Sequence, residues 1–225
     1  MRFNNRTEAG YQLAKRLKDY AEIEDLIVLG LPRGGVVVAA AVADELDAPL
    51  DVFVVRKVGV PGHEELAMGA VASRNVTVRN EQLISHLRMS SDTFEQSAAA
   101  QRQEVKRREE LYRQGHPTHD VGGRAVILVD DGLATGATMK AAVEAVRKAR
   151  PKQLIAAVPV AARETGDEFR QMLDGDAETF VCLSEPAAFG GVGRWYVDFR
   201  EVTDDEVQER LSQSPSPRTP LPRTP

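Results

Sequence analysis

Short apolar runs that stop at a glycine-bearing turn and give way to a helical pattern recur along this chain, and that recurrence limits its fold more than any other feature. Leu26-Ile27-Val28-Leu29-Gly30-Leu31 ends at Pro32-Arg33-Gly34-Gly35 before a helical stretch over 36–46. Residues 125–129 lead through Gly132 and Gly136 into a second helix over 139–149, and residues 154–158 precede a third over 163–173. Residues 52–55 read as a further strand and 180–183 as the last of the core. Strands alternating with helices imply right-handed crossovers, so the expected class is α/β, a largely parallel twisted sheet with helices on both faces. Ligands of such sheets sit beyond the strand carboxyl ends, where both glycine-bearing turns fall.

The chain of 225 residues suits one domain with additions, expected over 1–211. Lys and Arg total 29 against 34 Asp and Glu, a formal charge of −5, so there is no global attraction to nucleic acid or anionic lipid and any phosphate binding must be local. The single Cys182 excludes an intramolecular disulfide, and no Cys/His cluster has structural zinc spacing. The first residues lack an apolar leader, and the longest apolar run, 36–43, is too short to span a bilayer. A cytoplasmic protein without a membrane partner is expected.

Ahead of the first strand, Ala9, Leu13, Leu17 and Tyr20 make one helical face, and Asn5 with Glu8 suits its start. Residues 80–115 lack a strand signal and place Phe94, Ala98, Val105 and Leu111 on one stripe, which reads as a helical insertion whose charges form a solvated face. Thr203 and Glu206 have capping-box spacing ahead of Val207 and Leu211. Residues 212–225, rich in Ser and Pro with Arg-Thr-Pro at 218 and 223, read as a disordered or polyproline-like tail or, less simply, a docking peptide.

Residues 126–138, Val-Ile-Leu-Val-Asp-Asp-Gly-Leu-Ala-Thr-Gly-Ala-Thr, carry the chemistry. An apolar strand delivers Asp130 and Asp131 together, and like charges so placed call for a partner, either sugar hydroxyls or a divalent cation. Ala134, Thr135, Gly136, Ala137 and Thr138 lack bulk, so backbone N–H groups can close around a phosphate at a helix amino end, with the two threonine hydroxyls adding donors. The bland alternative is a helix cap. Neither a Walker-type nor a Gly-x-Gly-x-x-Gly phosphate motif is present.

This segment resembles the 5-phosphoribosyl-1-pyrophosphate (PRPP) motif of the type I phosphoribosyltransferases, apart from Gly132, where the family usually has an aliphatic residue. The resemblance implies that Asp130 and Asp131 hold the ribose hydroxyls and, mainly through PRPP, a Mg²⁺, while residues 134–138 cradle the 5-phosphate. Arg33, Gly34 and Gly35 resemble the family's pyrophosphate loop, the alternative being an ordinary turn with a surface arginine. Arg56 and Lys57 are expected to end the second core strand, with Lys57 the better match for a pyrophosphate cation and a solvated strand end the alternative. Residues 59–65 then read as a mobile loop, with strands at 69–73 and 76–79; by the resemblance such a loop closes over the reacting centre. Glu64 or Glu65 could act on an acceptor's proton there, or be plain solvated acids like neighbouring His63; His116 and His119, flanking Pro117-Thr118, read as loop residues. Residues 184–200 fall near the family's acceptor hood, where Trp195 or Tyr196 stacks on a flat ring or simply packs on the core.

The implied activity is transfer of the phosphoribosyl group from PRPP to a small nitrogen acceptor, a nucleobase or related compound, with Mg²⁺ and a possible homodimer. Ala134 stands where the 6-oxopurine enzymes usually have an acid, which puts that specificity in doubt. The competing expectations are a PRPP-sensing regulator without turnover and, more weakly, a phosphohydrolase or pyrophosphokinase on the same cradle.

Overall fold

A computed structural model describes residues 1–213 apart from Pro117, Asp176 and the Glu65 side chain. The expectations for the Pro-rich tail from residue 214 onward and for Pro117 and Glu65 lie outside the described residues. Helix α1 (Arg6–Arg16) starts where the Asn5 side chain accepts the Glu8 N–H at 2.9 Å, a cap worth about 1 kcal/mol. Then come β1 (Leu26–Gly30), α2 (Gly34–Glu45) and β2 (Leu50–Val52), followed by β3 (Val55–Val60), β4 (His63–Ala72) and β5 (Val76–Arg79). Helices α3 (Glu81–His86) and α4 (Ser91–Arg113) lead to β6 (Ala125–Val129), α5 (Ala137–Lys148), β7 (Gln153–Val160), α6 (Arg163–Met172), β8 (Glu178–Ser184) and α7 (Asp204–Ser212).

The main sheet is parallel, in the order β2-β1-β6-β7-β8. Its strands are buried on both faces, which explains their unbroken apolar runs. Side chains alternate across the sheet: Val126 and Leu128 pack with Met139, Val143 and Phe169 of α5 and α6, whereas Ile127 and Val129 pack with Leu13, Val38 and Val42 of α1 and α2. The parallel sheet with helices on both faces is therefore observed.

Residues 52–65 depart from the expected pattern. The core strand stops at Val52, and Val55 already belongs to a second, antiparallel sheet in the order β3-β4-β5. Lys57 consequently lies in the middle of β3, opposite Ala70, and not at a core strand end. The expected loop over 59–65 is a hairpin whose tip is Pro61-Gly62, with register shifts around Gly59. Alternation decides this outcome: Val58, Val60 and Met68 are all buried, so pairing the two strands removes their side chains from water.

Helices α3 and α4 occupy the expected helical stretch, with Phe94, Ala98 and Val105 buried on the antiparallel sheet and Leu111 half-buried. Its charges are not all solvated, however. Arg113, at the end of α4, is buried, with its Nε 3.0 Å from Asp51 Oδ1 and its Nη2 donating to the Val52 carbonyl at 3.0 Å. Asp51 is buried in β2 and also accepts from Arg74 Nη2 at 3.3 Å and from the His119 N–H at 3.2 Å. One carboxylate thus ties the parallel sheet to the β4–β5 turn, the end of α4 and the segment before β6.

Candidate functional site

Because β1 and β6 are neighbours in register, Gly30 beside Val129, the turns that follow them lie side by side at the carboxyl edge. The Leu31 N–H donates to the Val129 carbonyl at 2.9 Å, extending the contact into the turns. Gly34 and Gly35 rest directly on the acids. A Cβ at Gly34 would collide with the Asp131 carboxylate, and one at Gly35 would lie 2.9 Å from Asp130 Oδ1. The glycines are required for this approach of the two turns, which permits one ligand to touch both.

Asp130 and Asp131 are both half-buried, and they differ in their partners. Asp131 Oδ2 receives Arg6 Nε at 2.8 Å, and the Asp131 carbonyl accepts the Tyr196 hydroxyl at 2.6 Å. Asp130 has the Asp131 N–H on Oδ1 at 2.8 Å and no ion pair among the described residues. Burial and then the neighbouring Asp131 charge push the Asp130 carboxyl well above its ordinary range. Burial also raises Asp131, opposed by its hydrogen bond and charge interaction with Arg6. Such a pair is one carboxylate short of compensation, ready for a polyhydroxylated or cationic ligand.

The next turn is held from behind and open in front. Leu133 bridges to β7, its N–H donating to Val160 O and its carbonyl accepting the Ala162 N–H, both at 2.9 Å. The Thr165 hydroxyl donates to the Ala134 carbonyl at 2.6 Å. Gly136 has φ +66°, and a Cβ there would meet the Phe169 ring at 2.5 Å and Thr165 Cγ2 at 2.9 Å. Among the described residues no protein acceptor takes the N–H groups of Ala134, Thr135, Gly136, Ala137 or Thr138, while Ala134, Thr135 and Thr138 are exposed. A helix amino end with free donors and a positive dipole end is an oxyanion cradle. Gly136→Ala should destabilise the fold by about 2–3 kcal/mol, read as a lower urea midpoint at unchanged m. An unaltered midpoint would mean that the turn tolerates a side chain at this φ.

The remaining candidates are scattered more widely. Arg33 ion-pairs with Glu201 and lies 3.9 Å from Asp204 at the start of α7. Lys57 is exposed and lines, together with Ala137 and Lys140, a cavity of about 530 Å³ between the antiparallel sheet and α5. Glu64 is exposed at the hairpin, its Oε1 receiving the Gly62 N–H at 3.2 Å. Trp195 is half-buried, with Nε1 donating to Phe189 O at 3.0 Å. Tyr196 is a correction to its reading as an acceptor-stacking ring: it is 1 % exposed, lies against Phe3 and Phe199, and spends its hydroxyl on Asp131. Arg6 was not singled out by the sequence at all, since nothing local in a helix start announces a partner 125 positions away. Its guanidinium also sits 3.9 Å over the Phe199 ring and donates to the Arg200 carbonyl.

The phosphoribosyl transferase domain model matches residues 4–179, which takes in both turns and the acids. The chain belongs to the phosphoribosyltransferase family. It is 42% identical over 212 residues to provisionally named phosphoribosyl transferases from two strains of Mycobacterium tuberculosis, covering 94% of this chain but 47% of each relative. The chain therefore spans about half the length of these curated relatives. The crystal structure of TT1426 from Thermus thermophilus matches with a TM-score of 0.84 and 43% identity over 96% of this chain and 100% of that one. A purine phosphoribosyltransferase from Pyrococcus horikoshii, at 19% identity and a TM-score of 0.45 over 87% of this chain and 90% of that one, is too distant to bear on the acceptor. The five-stranded sheet and its flanking helices are the phosphoribosyltransferase-like fold.

No group of three His, Cys, Asp or Glu residues suited to a metal occurs among the described residues, and Asp130 and Asp131 are the carboxylates that adjoin the 134–138 turn. One or two carboxylates completed by substrate oxygens suit Mg²⁺, which seldom occupies an all-protein cage. No helix among the described residues is long and apolar enough to cross a membrane.

Proposed function

We propose that the chain transfers the 5-phosphoribosyl group of PRPP to a nitrogen acceptor, a nucleobase or related compound, releasing pyrophosphate. The observation that carries this reading is the open row of N–H groups from Ala134 to Thr138 adjoining an under-compensated Asp130–Asp131 pair. In this reading the turn takes the 5-phosphate, the acids take the ribose hydroxyls, and Arg33, Gly34, Gly35 and Lys57 take the pyrophosphate. The C1–oxygen bond to pyrophosphate breaks as the C1–nitrogen bond forms, and the acceptor gives up its proton. Mg²⁺, bound through PRPP and the carboxylates, would neutralise charge on the leaving group. This chain's own part is to position the sugar and to stabilise its developing positive charge with the two acids.

Glu64, in β4 just past the tip of the hairpin, is the acid that a closing movement would bring to the acceptor's proton. Trp195 is the ring left for the acceptor, while Tyr196 acts through Asp131. The unit proposed is residues 1–211, with an insertion over 80–115 and a hood-like segment over 184–200. The cytoplasm, and dimerisation, remain part of the same proposal. Pyrophosphate release from PRPP with Mg²⁺ should appear with one member of a panel of nucleobases and simple amines, and vanish in the Asp130→Asn/Asp131→Asn double variant.

A second reading, a PRPP-sensing regulator, is favoured by the Arg33 ion pair with Glu201, which holds a pyrophosphate-loop cation against the segment that leads into α7. Saturable PRPP binding without release for any acceptor would select it. Both readings expect Glu201→Gln to free Arg33 and tighten PRPP binding by about two- to fivefold, measured by titration calorimetry. Unchanged affinity would remove Arg33 from the ligand site.

A further inference from the structure

Arg6 is the first residue of α1, yet its side chain is buried and reaches the carboxyl edge of the parallel sheet. Its Nε donates to Asp131 Oδ2 at 2.8 Å and its Nη1 to the Arg200 carbonyl at 2.9 Å, while the guanidinium lies 3.9 Å over the Phe199 ring. A Cβ at Gly34 would lie 2.0 Å from Asp131 Oδ2 and 2.8 Å from Arg6 Nε, so the backbone of the 32–35 turn rests directly on this ion pair. The two acids are thus held differently. Asp130 Oδ1 takes the Asp131 N–H, a bond within the turn itself, whereas the Asp131 carboxylate depends on Arg6, 125 positions away. Among the described residues no protein donor is bonded to Asp131 Oδ1, which leaves that oxygen for a ligand. An unanchored Asp side chain samples several rotamers, and a ligand that needs one of them bears the cost of ordering it.

We propose that Arg6 is a positioning residue for the sugar: anchored on the Phe199 ring and the Arg200 carbonyl, it holds Asp131 with Oδ2 engaged and Oδ1 presented to a ribose hydroxyl. The proposal rests on the reading of the two acids as ribose ligands and adds to it a residue from outside the 126–138 segment. Arginine suits the task because one planar group meets a carboxylate, a carbonyl and an aromatic face at once, whereas lysine carries the charge without the fixed plane. A purely structural tie between α1 and residues 196–200 would affect every ligand of the site alike. A positioning role is confined to ligands that carry the hydroxyls.

Titration calorimetry with ribose 5-phosphate and with inorganic phosphate, both without metal, separates the two roles. Each ligand offers a phosphate to the 134–138 cradle and only the first carries hydroxyls, so the ratio of their affinities reports on the acids. In the unmodified protein ribose 5-phosphate should bind about tenfold or more tighter than phosphate. Arg6→Met should shrink that ratio to about two- to threefold while leaving phosphate affinity within about twofold, and Arg6→Lys should recover part of the ratio. Arg6→Met combined with Asp131→Asn should lose no more than Asp131→Asn alone, since both act on one carboxylate. A full ratio in folded Arg6→Met overturns the positioning role, and so does an equal fall in both affinities, which marks a structural tie. Should Arg6→Met not fold, Arg6→Lys carries the same test: an intermediate ratio supports the role and a full ratio overturns it. A ratio near one in the unmodified protein would instead remove the ribose reading itself, and the role of Arg6 with it.

Discussion

Asp130→Asn is expected to raise the stability of the ligand-free protein at neutral pH by about 1–2 kcal/mol while lowering phosphoribosyl transfer by about 10²–10³-fold. Both effects share one cause. Burial and the Asp131 charge raise the Asp130 carboxyl in the folded state, so ionising it works against the fold. Between the ordinary carboxylate range and the raised folded value, the native state binds more protons than the unfolded chain, so stability falls as pH rises through that window. Asp130 should accordingly contribute a loss of stability on going upward from about pH 4, and Asp130→Asn should remove that contribution from the pH profile. Thermal melts across the range, alongside turnover at a fixed pH, read both effects. A variant that is less stable at neutral pH and equally active would show that Asp130 is an ordinary helix cap.

Asp51→Ala should have the largest effect on folding, a loss of about 3–5 kcal/mol, or about 10 °C in thermal midpoint. It removes the carboxylate shared by Arg113 and Arg74 and the acceptor for the His119 N–H, leaving two largely buried guanidinium groups without it. Arg74 is already poorly served, since its Nη1 is buried without a partner and burial lowers its pKa. Replacing Arg113 by Met in the same variant should restore part of the loss, because an apolar side chain tolerates that pocket better than a buried cation left with Glu109 as its one carboxylate partner. A change under 1 kcal/mol for Asp51→Ala would mean that solvent reaches this network.

The parallel sheet was legible because its signal is local: an apolar run, a turn of small residues and a helical period within about thirty positions. Residues 125–129 are observed as the strand with the expected bounds, and residues 137–148 as its helix. The second sheet was less legible. Residues 55–60 alternate buried and open positions, but Gly59, Pro61 and Gly62 resemble loop punctuation, and only pairing with residues 63–72 shows them to be a hairpin. Partners far apart in sequence left still fainter marks. Arg6 with Asp131, Arg113 with Asp51 and Tyr196 with the Asp131 carbonyl join segments whose local patterns name only a helix face or an aromatic cluster. The acids proposed to hold the sugar could be read from the chain, whereas the groups that brace them required the fold.

The most direct test is calorimetric titration of PRPP with Mg²⁺ into the unmodified protein, the Asp130→Asn/Asp131→Asn variant and Thr135→Glu. Saturable one-to-one binding to the first, lost in both variants while their circular dichroism stays native, is the predicted result. Absence of PRPP binding by the folded unmodified protein, or binding that neither change disturbs, would contradict the assignment of this carboxyl-edge site.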